Sequence, residues 1–140
     1  MKVTIIDGQG GQLGARFVKE ILEKFPEFEL TAIGTNAVAT ATMIKAGAKN
    51  AATGENPVVV ACRNSDVIIG PVGIVVADSL LGEVTEKMAV AVGRSDAVRI
   101  LVPMNRCKNL VSGVKELNTS FLIDDVISKL YEIKENKKLD

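Results

Sequence analysis

Four glycines, Gly8, Gly10, Gly11 and Gly14, fall within seven residues where the apolar run "VTIID" turns into the helical pattern "GQLGARFVKEIL". A strand feeding a helix through glycines is the arrangement that cradles a phosphate. The helix start offers unpaired N–H groups and a positive dipole end, and a backbone without Cβ atoms lets the anion approach. In this reading Gly8 makes the turn out of the strand. Gly10, Gly11 and Gln12 present backbone N–H groups, and Gly14 lets the helix pack closely on the sheet. Gln9 and Leu13 complete the loop. The competing reading is a tight turn with nothing bound. Asp7, just before the loop, either faces a ligand or accepts hydrogen bonds from the loop's own N–H groups.

The chemistry is narrowed by absences. The 140 residues contain no histidine, which excludes Ser-His-Asp and Cys-His nucleophile pairs within one chain. Zinc sites built on histidine or on four cysteines are excluded too, because there are two cysteines, Cys62 and Cys107. No metal site is expected. Their wide separation suggests reduced thiols and a cytoplasmic protein. Seventeen basic and seventeen acidic residues cancel, which argues against broad nucleic-acid binding. No apolar run approaches the roughly 20 residues that span a bilayer, and "MKVTIIDG" enters a strand directly, without a signal-peptide layout.

The elements that would position the loop alternate strand and helix. Strands are expected at 2–7, 28–34, 49–54, 65–71 and 98–106, with helices at 11–25, 35–48, 55–64, 84–97 and 121–137. Asn36 and Thr85 read as N-caps, Pro26 and Gly47 as stops, and Asn56 as a cap with Pro57 at the first helical position. The segment "VGIVVADSLLGE" (72–83) fits a loop with a short helix, or an apolar surface facing a partner chain. Residues 107–120 fit irregular structure or an edge strand. With no repeat or linker, residues 1–140 form a single domain. Alternation implies a three-layer, doubly wound α/β fold with a mainly parallel sheet of about five strands. A short third strand suits the sheet edge and hence the Rossmann-like order 3-2-1-4-5.

In such sheets ligands bind beyond the carboxyl ends of the strands. The segments there are "DGQGGQLG", "GTNA", "TGENP", "GPVG" and "PMNRC". The candidate site is therefore the loop from Asp7 to Gly14, with Gly34, Thr35 and Asn36 toward a ribose or base. Gly70, Pro71, Gly73, Asn105 and Arg106 would close the rim. Thr35 and Asn36 stand where dinucleotide binders usually carry an acid for the ribose hydroxyls. Glu55 and Asn56 read more simply as helix-start residues, and Asp124 and Asp125 as acids at a helix N-terminus. Cys107, between Arg106 and Lys108, is the one candidate nucleophile, but no general base accompanies it.

"GQGGQLG" has G-x-x-G-x-x-G spacing from Gly8 through Gly11 to Gly14 and resembles the fingerprint of extended and atypical short-chain dehydrogenases, which implies an NAD(P)-type cofactor. Their Tyr-x-x-x-Lys pair has no counterpart, since Tyr131 is followed at that spacing by Glu135. The segments "IDGQGGQLG", "AIGTNAVATATMIKAGA", "ATGENPVVV", "DVIIGPVGIVVADSLLGEVT" and "ILVPMNRC" together resemble a bacterial domain-of-unknown-function family of small Rossmann-like proteins. That resemblance implies a Rossmann-like fold and a cytoplasmic bacterial protein, and no activity. The expected ligand is small and phosphate-bearing, a nucleotide or dinucleotide. The alternatives are a non-catalytic, homodimeric regulatory or interaction protein, and a small enzyme acting on a nucleotide or sugar phosphate.

Overall fold

A computed structural model describes residues 1–103, 108–114 and 118–137. Strands β1 (Lys2–Asp7), β2 (Glu29–Gly34), β3 (Asn50–Thr53), β4 (Val67–Pro71) and β5 (Val98–Val102) form one sheet in the order β3-β2-β1-β4-β5. Every pairing is parallel. β1 and β4 take the middle because their "VTII" and "VII" cores are apolar on both faces, and a central parallel strand is covered by helices on both sides. β3 is short and only half-buried, and it takes an edge.

Side-chain alternation sorts the core into two layers. Val3, Ile5, Val67 and Ile69 point to one face, where helices α1 (Gln12–Lys24), α2 (Ala37–Lys45) and α5 (Thr119–Lys137) supply Phe17, Ile21, Met43 and Leu130. Ile6, Ile33 and Ile68 point to the other, against Val58 of α3 (Glu55–Cys62) and Met88 and Val92 of α4 (Glu86–Arg94). Burying a side chain such as Phe17 contributes about 1.5–3 kcal/mol.

Local chemistry sets the helix ends. The Asn36 side chain accepts the Ala39 N–H at 2.8 Å, and Thr85 Oγ1 accepts the Met88 N–H at 3.2 Å. Such caps satisfy N–H groups that a helix start leaves orphaned. α1 ends at Lys24 ahead of Pro26, and Phe25 stacks on Phe28 with ring centroids 4.6 Å apart. The expectation for α3 needs correction. Gly54, at φ +102°, precedes the first turn, so the helix starts at Glu55 and Asn56 lies inside it rather than capping it. Pro57 is then the third helical residue, still among the positions whose N–H has no partner within the helix. β5 stops at Val102, before Pro103, and residues 108–114 form turns and irregular chain rather than an edge strand. Among the described residues, no helix is long and apolar enough to cross a membrane.

Pairing aligns the strand ends. Asp7 lies beside Gly34, and Gly34 beside Thr53. The β1–α1, β2–α2 and β3–α3 turns therefore share one rim, and the order reverses between β1 and β4.

Candidate functional site

At the end of β1 the Asp7 side chain folds over the glycine turn. Its Oδ1 accepts the Gly8 N–H at 2.8 Å and its Oδ2 accepts the Gly14 N–H at 2.7 Å. The carboxylate thus ties the two ends of the loop together. Asp7 is 6% exposed. Burial pushes its carboxyl above the usual value, and Glu83 pushes the same way, against the two backbone hydrogen bonds.

Each glycine has its own surroundings. A Cβ on Gly14 would lie 2.6 Å from Met43 Sδ and 2.9 Å from Asp7 Cβ, and one on Gly8 would lie 2.6 Å from Thr35 Oγ1. Gly11 has φ +73° and sits against the backbone of Ala39. Gly10 is exposed, and a Cβ there would meet only Gln12 Cγ, at 3.9 Å. Gln9 and Gln12 are exposed, and Leu13 is buried in the core. α1 begins without a side-chain cap and without an acid in its first turn. The outward part of the loop is thus Gln9, Gly10 and Gln12, and the rest is packed.

The residue that sequence reasoning missed is Glu83. It lies in the strap between β4 and α4, which begins as a 3₁₀ turn over Val72–Val75. The Glu83 carboxylate reaches the rim and accepts hydrogen bonds from three donors. These are the Gln9 N–H at 3.0 Å, the Thr35 hydroxyl at 2.9 Å and the Asn36 amide. The Asn36 amide also donates to Gln9 O at 2.9 Å. Partial burial opposes ionisation of Glu83, but the hydrogen bonds from Asn36, Gln9 and Thr35 outweigh it and hold the carboxyl below its usual value. The only hint in the sequence was an acid closing an otherwise uncharged turn, "SLLGE".

Of the other expected rim residues, Gly34 packs against Thr40 and the Asn36 carbonyl, and Gly70 against the Ile6 carbonyl and Ile74. Pro71, the last residue of β4, and Gly73, in the 3₁₀ turn, are both buried. Asn105, Arg106 and Cys107 lie outside the described residues. Cys62 is buried, and burial pushes its thiol up to about 11. Tyr131 packs its ring 4.6 Å from that of Phe25, beyond the far end of α1. A helix of 13 residues separates it from the loop by roughly 20 Å. Among the described residues, no group of three or more Cys, Asp or Glu is placed to hold a metal ion. A groove of about 770 Å³ between α3 and α4, lined by Val59, Cys62, Val90 and Ala91, is away from the rim. Above the loop, Leu80 and Glu83 fill the space beside Gly8.

The two acids should titrate in opposite directions. Asp7 has a folded-state pKa above its usual 3.8, so its contribution to stability is present at low pH and lost as pH rises through the folded value. Glu83 lies below its usual 4.5, so its contribution is present above that value and lost as pH falls through the folded one. Carboxyl-carbon NMR should show Asp7 titrating above the usual aspartate value and Glu83 below the usual glutamate value, and Glu83→Gln should lower the Asp7 value by removing its charged neighbour. An unmoved Asp7 would mean that burial alone sets it.

An all-parallel sheet in this order, with a glycine turn at the β1–α1 junction, defines an α/β protein of the Rossmann-like class. The chain belongs to the domain-of-unknown-function family DUF3842, whose model matches residues 2–135. No curated protein matches it significantly.

Proposed function

We propose that this protein binds a nucleotide or dinucleotide, of NAD(P) type, through a phosphate group held at the Gly8–Gly14 loop. One observation carries the reading: an anion, the Glu83 carboxylate, already rests on the Gln9 N–H, the Thr35 hydroxyl and the Asn36 amide. These donors come from the two turns, β1–α1 and β2–α2, where a Rossmann-like sheet receives phosphate and ribose. The uncapped start of α1 beside open Gly10 adds a positive dipole end with room for a ligand. Hydride transfer is not part of the reading, because Tyr131 is packed at the other end of α1.

The test is a thermal melt against NAD, NADP, their reduced forms, ATP, ADP, coenzyme A and S-adenosylmethionine. A ligand at about 100 times its dissociation constant adds roughly 2.7 kcal/mol of stability. Gly10→Val should abolish the shift and leave the unliganded melt unchanged, since a side chain there meets open space. No shift, with no small molecule retained in the purified protein by mass spectrometry, overturns the reading.

A second reading, a homodimeric interaction protein, draws on the α3–α4 groove, where Val90 is 40% exposed. The strap gives it less, because Ile74 and Val84 are buried in the protomer's own core. Sedimentation at dilute concentration decides: a strict monomer removes it.

A further inference from the structure

We propose that the strap of residues 76–84 is an autoinhibitory gate, with the Glu83 carboxylate standing in for the ligand's phosphate until the ligand displaces it. The inference rests on the loop being a phosphate site and concerns how that site is controlled. Glu83 Oε1 takes all three donors, and Oε2 lies 3.3 Å from the Gln9 N–H. A phosphate cannot share them, because a second anion at hydrogen-bond distance from the same groups would be repelled by the first. Leu80 closes the crevice from the same strap: a Cβ on Gly8 would lie 2.8 Å from Leu80 Cδ1. Strap and ligand therefore compete for one place.

The strap is built to lift. Its ends are anchored by Ile74 and Val84, each 1% exposed, while Leu81 at its tip is 96% exposed and has nothing packed outside it. Asp78, Leu80 and Leu81 all have left-handed backbone angles, φ +65°, +55° and +56°. L-residues adopt that conformation at a cost, and opening the turn would recover it. The closed form is held from within by Asp78 N–H to the Val84 carbonyl at 2.8 Å and by the Ser79 hydroxyl to the Gly73 carbonyl. Its hold on the loop is Glu83. Gly82, at φ +88° with no atom within 4 Å of a Cβ placed there, lies next to the clamp, its N–H donating to the Asp78 carbonyl at 3.1 Å.

The opposite role for Glu83, helping to hold the ligand by accepting ribose hydroxyls, predicts the opposite sign. Inorganic pyrophosphate is titrated calorimetrically into the full chain and its Glu83→Ala and Glu83→Gln variants. Hydrogen exchange of the Leu80–Val84 amides is followed with and without pyrophosphate. The gate predicts that Glu83→Ala binds pyrophosphate about tenfold tighter or more, a typical size for coupling between exclusive states. Glu83→Gln, uncharged but still an acceptor, falls between, and decides the matter should the alanine variant fail to fold. In the parent protein the strap amides exchange faster once pyrophosphate is bound. Equal or weaker binding by the variants, with the parent protein still binding, overturns the gate and leaves the loop site standing. Pyrophosphate binding to neither parent nor variant overturns the gate, and the nucleotide melts then judge the loop site separately.

Discussion

Gly11→Ala is expected to destabilise the fold by about 3 kcal/mol or more, while Gly10→Ala, one residue earlier, leaves stability within about 0.5 kcal/mol of the parent. Two costs add at Gly11. Its φ of +73° is left-handed, and a Cβ there would sit 2.7 Å from both Cα and the carbonyl oxygen of Ala39. Those are backbone atoms in the first turn of α2, so relief requires α1 and α2 to separate. Ala39 is fully buried, which makes that separation expensive. At Gly10 no φ constraint applies, and the nearest atom to a new Cβ is the flexible Gln12 Cγ at 3.9 Å. A loss of this size should lower the melting temperature by roughly 10 °C, measurable by calorimetry. Equal effects at the two positions would show that the loop does not hold this geometry in solution.

The same contrast explains what could be read in advance. Alternation of apolar strands with amphipathic helices is a long-range pattern, and it sufficed for the sheet and its order β3-β2-β1-β4-β5. Caps with a local mechanism were equally visible: Asn36 and Thr85 stand at the starts of α2 and α4, with side chains that accept an N–H three residues on. Asn56 misled because an equally strong local signal, Gly54 with its positive φ, set the start of α3 two residues earlier. Spacing pointed to Gly14 as the glycine that packs α1 closely on the sheet, and a Cβ there would meet Asp7 and Met43, but it could not tell that Gly11 meets Ala39 while Gly10 faces water. Glu83 was hidden for a different reason. Its partners Gln9, Thr35 and Asn36 are 74, 48 and 47 residues away. Only the strap, whose left-handed leucines no propensity foretells, brings it to them.

Asp7→Ala is the second large effect, with an expected loss of about 2–4 kcal/mol. The carboxylate accepts the two N–H groups that flank the glycine turn, those of Gly8 and Gly14. Both glycines are buried, so water does not readily replace it. Each orphaned buried donor costs about 1–3 kcal/mol. Against this, alanine removes a charge whose burial already disfavours the ionised form, as the raised pKa of Asp7 records. The offset grows as pH rises through that pKa, so the penalty should be smaller at pH 7 than at pH 4. Asp7→Asn keeps an acceptor for one N–H and turns a donor toward the other. It should fall between parent and alanine, and its gap to the parent should narrow with rising pH in the same way. Denaturant unfolding of the three proteins at the two pH values measures this directly. A penalty that grows toward pH 7 would mean that the two hydrogen bonds, rather than burial, dominate the carboxylate. Asp7 would then lie below its ordinary pKa, as a simple anchor for the loop.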